Sequence, residues 1–402
     1  MAGRCYRKNS TTTDNHQVNV PLSQPHVGEE EIAAVADVLR SGRLALGPKT
    51  AEFERRFGEF LHQPHAIAVN SGTSGLHLAV TALGIGPGDE VITTPFSFIA
   101  SSNCILMAGA KPVFVDVQDE TFNIDPTLIE LAITPRTRAI LPVHVFGEAA
   151  DMTPILSLAR RHNLGVIEDA CEAIGARHAG RLAGTFGDAG VFGFYPNKQI
   201  TTGEGGIIVT GDRRIHEYCV SARNQGRNDD SQWLTHVRLG YNYRISEITA
   251  AIGVEQVRKL PEILSARRER AARYLDILGD IPQVRLPVQW DHEDHSWFVF
   301  AIRVEDELRD PLVEELNRRG VGCKAYFHPC IHLQEFYRSE FGYREGMFPV
   351  AERLSRQTLV LPFFTGITDA QIQHVADTLR AILPQLKPAR NFHEPIAAKI
   401  AV

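Results

Sequence analysis

The chain has 402 residues, more than one hydrophobic core usually holds, so two domains are expected. Its 44% apolar and 22% charged residues are typical of a soluble globular protein, and a net charge of −6 without a basic run argues against nucleic acid as a main partner. No apolar run approaches the about 18 residues that a membrane-spanning helix needs. Residues 1–19 form a polar tail without the apolar segment of a signal peptide.

The first predicted elements are two amphipathic helices, over Glu29–Arg40 and from about Thr50 to His62. Short apolar segments then alternate with helical ones, and several are continuously apolar, as in strands that are covered on both faces. Helices are predicted between strands at Ser74–Leu83, Asp125–Ile133 and Thr153–His162. The seven predicted strands are Ala66–Asn70, Glu90–Thr94, Pro112–Asp116, Ala139–Phe146, Gly165–Asp169, Gly190–Phe194 and Gly206–Thr210. This α/β alternation predicts a mostly parallel seven-stranded sheet sandwiched by helices.

The pattern changes after a long helix that runs from Ser246 to about Leu275. The rest of the chain predicts a smaller C-terminal α+β domain. Its predicted strands are Ser296–Val304 and Gly322–Phe327, its predicted helices Pro311–Arg319 and Thr368–Leu383. Prolines 282 and 287 interrupt the pattern and indicate a hinge. We therefore predict a tail over 1–19, a large domain over 20–280 and a small domain over 281–402.

The first candidate site is the segment Asn70–Gly75, which follows a strand and opens a helix. Its small residues let backbone N–H groups approach an anion, and the helix N-terminus adds partial positive charge. The segment is neither a GxGxxG fingerprint nor a Walker loop. A tight strand-to-helix turn without a ligand would have the same sequence.

Two further signals lie at strand ends. Glu168 and Asp169 end a strand, where ligands of open α/β sheets bind, although such an acid also serves as a helix cap. Lys198 follows another strand and precedes the glycine-rich turn at 203–206. A loop lysine is usually exposed, but this chain has only 8 lysines against 34 arginines, and Lys198 is the sole one between Lys111 and Lys259. A phosphate cup, an acid and a lysine, in this order, are what pyridoxal phosphate needs.

The sequence resembles the DegT/StrS-type sugar aminotransferases, which belong to the fold-type I pyridoxal-phosphate enzymes. The resemblance extends from about Val20 to Leu383. The Phe194–Gly206 segment is similar to that of perosamine-type synthases, whose sugar is GDP-linked. The motifs that carry the resemblance are Ser71–Ser74, Gly86–Val91, Phe96–Phe98, Gly109–Asp116, Pro142–His144, Glu168–Ala170, Lys198, Gly203–Gly206 and Leu239–Arg244.

The resemblance implies a role for each matching residue. Lys198 would bond the cofactor and shuttle a proton, and Asp169 would pair with the pyridinium nitrogen. Phe98 would stack on the ring, while Gly72, Thr73 and Ser74 would hold the phosphate. Asn242 would reach the cofactor phosphate of the neighbouring subunit, which makes each site of a homodimer composite.

Three more positions concern the substrate and the phosphate. Glu172 stands near cofactor and sugar, where relatives carry Gln, His or Glu, and His332 matches a substrate-side motif. Gly193 departs from relatives that carry Ser there, so Asn242, Thr73 or water must replace the missing hydroxyl.

The remaining candidates have ordinary structural explanations. His144 could be structural or catalytic, and Arg181 reads as a surface arginine. The spacing of Cys323, His328, Cys330 and His332 fits no usual zinc pattern, so no metal is expected. Six cysteines without a Cys-x-x-Cys pair indicate a reducing cytoplasm.

The resemblance implies an aminotransferase that moves an amino group from L-glutamate to a keto group of a nucleotide-linked 4-keto-6-deoxysugar. Glu172 favours C4 over C3, because Gln tends to accompany C3 enzymes. The alternatives are amination at C3 or of a cyclitol ketone, a sugar dehydratase, which would carry histidine in place of Lys198, and a cofactor-binding regulator without turnover.

Overall fold

The computed structural model describes residues 19–228, 235–288 and 293–386. Its strands are β1 (His65–Val69), β2 (Glu90–Thr93), β3 (Lys111–Phe114), β4 (Thr137–Ile140), β5 (Gly165–Asp169), β6 (Arg177–His178), β7 (Arg181–Leu182), β8 (Ala189–Gly193), β9 (Gly206–Thr210), β10 (Glu293–Asp294), β11 (Phe300–Arg303), β12 (Lys324–Ala325) and β13 (Thr358–Leu361).

Helices cover both faces of the central sheet and build most of the C-terminal part of the chain. They are α1 (Glu29–Ser41), α2 (Pro48–Leu61), α3 (Gly72–Ala82), α4 (Ala100–Met107), α5 (Pro126–Ile129), α6 (Met152–His162), α7 (Arg213–Arg223), α8 (Glu247–Leu278), α9 (Asp306–Arg318), α10 (Glu335–Phe341), α11 (Pro349–Gln357) and α12 (Asp369–Ile382).

The central sheet has seven strands in the order β1-β9-β8-β5-β4-β2-β3. Only β9 runs against its neighbours, and the other strands point the same way. All residues of β2, β8 and β9 are buried, as expected for strands with helices on both faces. This confirms the predicted mostly parallel seven-stranded α/β sheet.

The reversal at β9 matters for function because β8 and β9 are neighbouring antiparallel strands, joined directly at the carboxyl end of β8. The twelve-residue connection, 194–205, therefore stays beside the carboxyl ends of the parallel strands. Backbone hydrogen bonds within the connection hold it together: Phe194 N–H donates to Gly205 O (3.0 Å) and Thr202 N–H donates to Phe194 O (3.0 Å). Lys198 lies in this connection.

Three predicted strands were too long. The prediction Ser296–Val304 is a strand only over Phe300–Arg303, and Gly322–Phe327 only over Lys324–Ala325. Of the third, Ala139–Phe146, only Ala139 and Ile140 belong to a strand, as the end of β4. Val143 adds a single parallel bridge to Asp169, and a short 3₁₀ turn follows at Val145–Gly147. Phe146 adopts a positive φ of 58° there, which ends any extended conformation. Apart from His144 the segment is apolar because it is a buried loop, and burial alone does not distinguish a loop from a strand.

The second unit contains the three-stranded sheet β11-β13-β12 with α9 and α12. Its hydrophobic cluster also includes Val20 and the end of α8. Val20 pairs with Val321, and its N–H donates to Gly320 O (2.8 Å). The predicted boundary near residue 280 stays a prediction, since α8 packs on α1, α2 and α12.

Two carboxylates that follow β3, in the part of the chain that forms the central sheet (the large unit), hold the second unit in place. Asp116 accepts the N–H groups of Val350 (3.0 Å) and Ala351 (2.8 Å) at the start of α11. Asp119 accepts from Arg303 (2.9 Å) and Arg353 (2.7 Å). These contacts fix the wall that the second unit contributes to the site described next.

None of the helices in the described part of the chain is both long and apolar enough to cross a membrane.

Candidate active site

A cavity of about 760 Å³ opens at the carboxyl ends of the parallel strands. The turn after β1, the segment after β2, the ends of β5 and β8 and the connection 194–205 line one side. The other side comes from the second unit, with Phe298 and the segment from Ala325 to Gln334. Ligands of open α/β sheets bind at this edge, so the fold brings the three signals of the sequence to one place.

The turn between β1 and α3 forms one end of the cavity. Helix α3 begins at Gly72, two residues before the predicted start, and Ser71 caps it by accepting the Ser74 N–H (3.1 Å). A Cβ added at Gly72 would lie 2.9 Å from Sγ of Cys171, so this position has no room for a side chain. Gly72 and Thr73 line the cavity at the positive end of an eleven-residue helix.

Asp169, the last residue of β5, is held by two donors. Its Oδ2 accepts from the hydroxyl of Ser101 (2.6 Å), and its Oδ1 accepts the N–H of Cys171 (3.1 Å). The residue is only 5% exposed and still lines the cavity. A carboxylate that is anchored in this way keeps a fixed position and can face a protonated ring nitrogen.

Lys198 reaches the same cavity from the β8–β9 connection. Its Nζ lies 3.3 Å from Oε1 of Glu172 and 4.1 Å from the centre of the Phe298 ring. Oε2 of Glu172 accepts the N–H of Phe146 (3.0 Å). Burial raises the pKa of Glu172, and the charge of Lys198 partly opposes this rise.

Phe98 and Gly193 complete the cavity wall. Phe98 is 60% exposed, an unusual state for a large apolar ring, and it borders the cavity. At Gly193 an added Cβ would lie 3.3 Å from Sγ of Cys171, so the thiol occupies part of the space that a serine side chain would need. The glycine at 193 and the cysteine at 171 are thus sterically coupled.

Three predicted site residues do not line the cavity. The Ser74 hydroxyl donates to Oδ1 of Asn70 (2.7 Å), so it is engaged within the turn. Asn242 is exposed, and its backbone oxygen accepts from Nδ2 of Asn70 (3.4 Å), next to the same turn. His332 is completely buried, with Nε2 3.1 Å from Oε1 of Glu352.

The remaining candidates are engaged in structural contacts. His144 accepts the Ala150 N–H at Nδ1 (3.0 Å), so its other ring nitrogen donates to Glu168 Oε2 (2.9 Å). Arg181 donates to the Thr185 hydroxyl (3.2 Å). Across the described residues, no group of three or more His, Cys, Asp or Glu side chains could hold a metal ion.

Sequence reasoning missed several residues of the cavity. Phe298 and His328 reach it from the second unit, whereas Asn197 precedes Lys198 and Gln334 lies two residues after His332. Phe298 had no distinguishing signal, because a phenylalanine in an apolar strand reads as core. His328 lies four residues before His332, and only the fold shows which of the two histidines lines the cavity.

The residues fit pyridoxal phosphate. The space without side chains at Gly72 and the N-terminus of α3 can bind a phosphate. Asp169 can pair with the ring nitrogen of the cofactor, and Lys198 can react with its aldehyde. The cavity volume also leaves room for a second small molecule.

Comparison with known proteins agrees with this fit. The sequence profile described as the DegT/DnrJ/EryC1/StrS aminotransferase family matches residues 25–380. The chain is 37% identical over 378 residues to the spore coat polysaccharide biosynthesis protein SpsC of Bacillus subtilis, which covers 90% of this chain and 97% of SpsC.

Solved structures give the same result. DesV of S. venezuelae has a TM-score of 0.86 and 38% identity, covering 92% of this chain and 100% of DesV. NtdA of Bacillus subtilis, solved with bound cofactor PMP, has a TM-score of 0.82 and 32% identity, covering 89% of this chain and 82% of NtdA. The chain therefore belongs to the DegT/DnrJ/EryC1/StrS aminotransferase family and is a pyridoxal-phosphate-dependent enzyme.

Proposed function

We propose that this sugar aminotransferase moves an amino group from L-glutamate to C4 of a nucleotide-linked 4-keto-6-deoxysugar. The observation that carries the proposal is the pair of Lys198 and Glu172, whose side chains lie 3.3 Å apart in the cavity that Asp169 also lines. A polysaccharide-related role of SpsC supports a sugar acceptor.

Five residues would bind the cofactor or shape its site in this proposal, beside Lys198. Backbone N–H groups at Gly72 and Thr73 would bind its phosphate, with Ser74 shaping the turn from behind. Asp169 would bind the ring nitrogen, and the exposed face of Phe98 would cover the ring. When bound, the cofactor supplies an electron sink for the bond that breaks at the amino acid Cα.

Lys198 would carry the proton in both half reactions. Its Nζ would take the proton from Cα of glutamate and pass it to the cofactor in the first half reaction, and would carry a proton from the cofactor to the sugar carbon in the second. Glu172 lies beside this amine and gives the ammonium form a counter-charge. Phe298 bounds the amine on the side of the second unit, so the amine stays within the cavity.

Glu172 is also the basis for C4. A buried carboxyl whose pKa is raised can accept or donate a hydrogen bond to a sugar hydroxyl, and its protonation state sets which of the two occurs. An amide at this position always offers both a donor and an acceptor. The acid therefore favours a different orientation of the sugar from the one that glutamine favours.

The proposal includes a homodimer with composite sites in the cytoplasm. The exposed side chain of Asn242 lies next to the turn that holds the phosphate, where it can reach a neighbouring subunit. The cysteines, scattered without a Cys-x-x-Cys pair, support a reducing compartment. His332 would act behind the cavity wall, through its contact with Glu352, rather than on the sugar directly.

A panel of acceptors tests the proposal. The purified holoenzyme is incubated with L-glutamate and with 4-keto and 3-keto nucleotide sugars and cyclitol ketones, and the products are identified by NMR. We expect nitrogen at C4 of a 4-keto-6-deoxysugar. Nitrogen at C3, amination of cyclitols alone, loss of a hydroxyl without amination, or the absence of any turnover would each overturn it.

A further inference from the structure

His328 stands on the cavity wall that the second unit contributes. Its Nδ1 lies 3.0 Å from Oγ of Ser355, a residue of α11 that is only 2% exposed. The Nδ1 edge of the ring therefore faces the protein. None of the described residues forms a hydrogen bond with Nε2 on the opposite edge.

The hydrogen bonds of the Ser355 hydroxyl determine which ring nitrogen of His328 carries the proton. The hydroxyl of Ser355 donates to the backbone oxygen of Phe327 (2.5 Å), and a carbonyl oxygen can only accept. Because the hydroxyl has one proton and gives it to Phe327, it must accept from His328. Nδ1 of His328 thus carries the hydrogen, and in the neutral ring Nε2 has a free lone pair.

The surroundings also keep the ring neutral. Partial burial lowers the pKa of His328, and the nearby guanidinium groups of Arg309 and Arg356 lower it further, while Asp310 opposes them. These are the charged groups that act on the ring. At neutral pH the cavity wall therefore offers an uncharged acceptor at Nε2.

We propose that Nε2 of His328 accepts a hydrogen bond from a hydroxyl group of the amino acceptor, which makes His328 a specificity residue for the second half reaction. Ser355 is the positioning residue that fixes the ring tautomer. This inference rests on the proposed function, because it requires a hydroxylated ketone as acceptor.

The chemistry distinguishes the two substrates. The amino group of glutamate is the group that reacts with the cofactor, and its two carboxylates have no proton to donate at neutral pH, so a neutral acceptor nitrogen on the wall gives glutamate nothing. A sugar hydroxyl does have a proton to donate. Glutamate and the sugar acceptor bind in the same cavity in turn. His328 can therefore strengthen binding of the sugar without strengthening binding of glutamate.

Separate half reactions test the proposal. In His328→Leu the KM for the hydroxylated ketone should rise about tenfold, the effect of one lost hydrogen bond, while the rate of the glutamate half reaction stays within twofold. His328→Gln, which restores an acceptor oxygen, should recover part of the loss. Ser355→Ala should give an intermediate KM, and His162→Leu on α6 serves as the control.

Two further measurements sharpen the test. An acceptor that lacks one hydroxyl should lose about tenfold in kcat/KM with the wild type and nothing more with His328→Leu. In ¹⁵N-labelled cofactor-loaded protein, the signal that His328→Leu removes should show the tautomer with hydrogen on Nδ1 at neutral pH. A tautomer with hydrogen on Nε2 would overturn the inference.

The remaining outcomes are distinguishable. If the wild type aminates a hydroxylated ketone and His328→Leu has the same KM for it, this inference is wrong and the proposed function stands. If the wild type completes the glutamate half reaction but aminates no hydroxylated ketone, the proposed function fails and this inference falls with it.

Discussion

Nζ of Lys198 lies 3.3 Å from Oε1 of Glu172, and both side chains are largely buried at the wall of one cavity. A lysine and a carboxyl in this position share protons more readily than they would in water, because the desolvated carboxyl is harder to ionise. In the proposed function, the pair links the amine that moves protons to the residue that distinguishes sugar acceptors.

Replacement of Lys198 should abolish transamination. In Lys198→Ala we expect no product and no visible absorbance from covalently attached cofactor, because no other lysine lines the cavity among the described residues. Lys111→Ala, at an exposed position of β3, should behave as the wild type. A Lys198→Ala protein in which borohydride still fixes the cofactor covalently would contradict the assignment.

Asp169→Asn should keep the fold and lose at least about 100-fold in kcat, because a neutral amide no longer stabilises the protonated ring nitrogen. The amide oxygen can still accept the Cys171 N–H. Ser101→Ala removes only one donor to Asp169 and should cost less. The check combines steady-state rates with thermal unfolding, and near wild-type turnover in Asp169→Asn would refute the role.

Glu172 should set the acid limb of the pH–rate profile. Burial raises its pKa above the ordinary value of 4.5, so the carboxylate is lost, and with it the counter-charge of Lys198, as pH falls through that raised pKa. Glu172→Gln cannot titrate, and its profile should lack this limb. An acid limb that is unchanged in the variant would assign it to another group.

Subunit mixing tests the composite site. Lys198→Ala and Asn242→Ala should each be impaired alone, and mixed dimers should regain activity because one of their two sites has both native residues. Mixing Lys198→Ala with Asp169→Asn is the control, since both residues serve the same chain's site and no intact site forms. Activity in a monomer, measured by light scattering with turnover, would rule the arrangement out.

The buried thiols should make the protein sensitive to alkali. Burial raises the pKa of Cys219 from 9.0 to about 12, so the folded protein keeps a proton that the unfolded chain releases. The free energy of unfolding should therefore fall as pH rises from about 9 towards 12. Urea unfolding at several pH values measures this slope, and Cys219→Ala should make it shallower.

Sequence patterns predicted the strands best where burial on both faces alone determines the residue types. Strands β5 and β9 agree with the predicted ranges, because short apolar runs between turn residues are typical of strands buried on both faces, whichever way they run. Asp169 and Lys198 could be placed in the site because strand ends meet at one edge of the sheet. The segment after Ile140 was misjudged, since its burial comes from a loop.

Side-chain direction could not be predicted. His328 and His332 lie in the same apolar segment, yet one lines the cavity and the other is enclosed against Glu352. The contribution of Phe298 depends on how the second unit packs against Lys198, a long-range contact without a local signal.

The pairing of Val20 with Val321 has a mechanical consequence. Val20 and Leu383 belong to the same hydrophobic cluster, so force applied between them is borne first by the second unit. The large unit lies within the chain between these two points and carries tension only after that cluster opens. Under stretching, the cavity should lose the wall that holds Phe298 and His328 before the central sheet gives way.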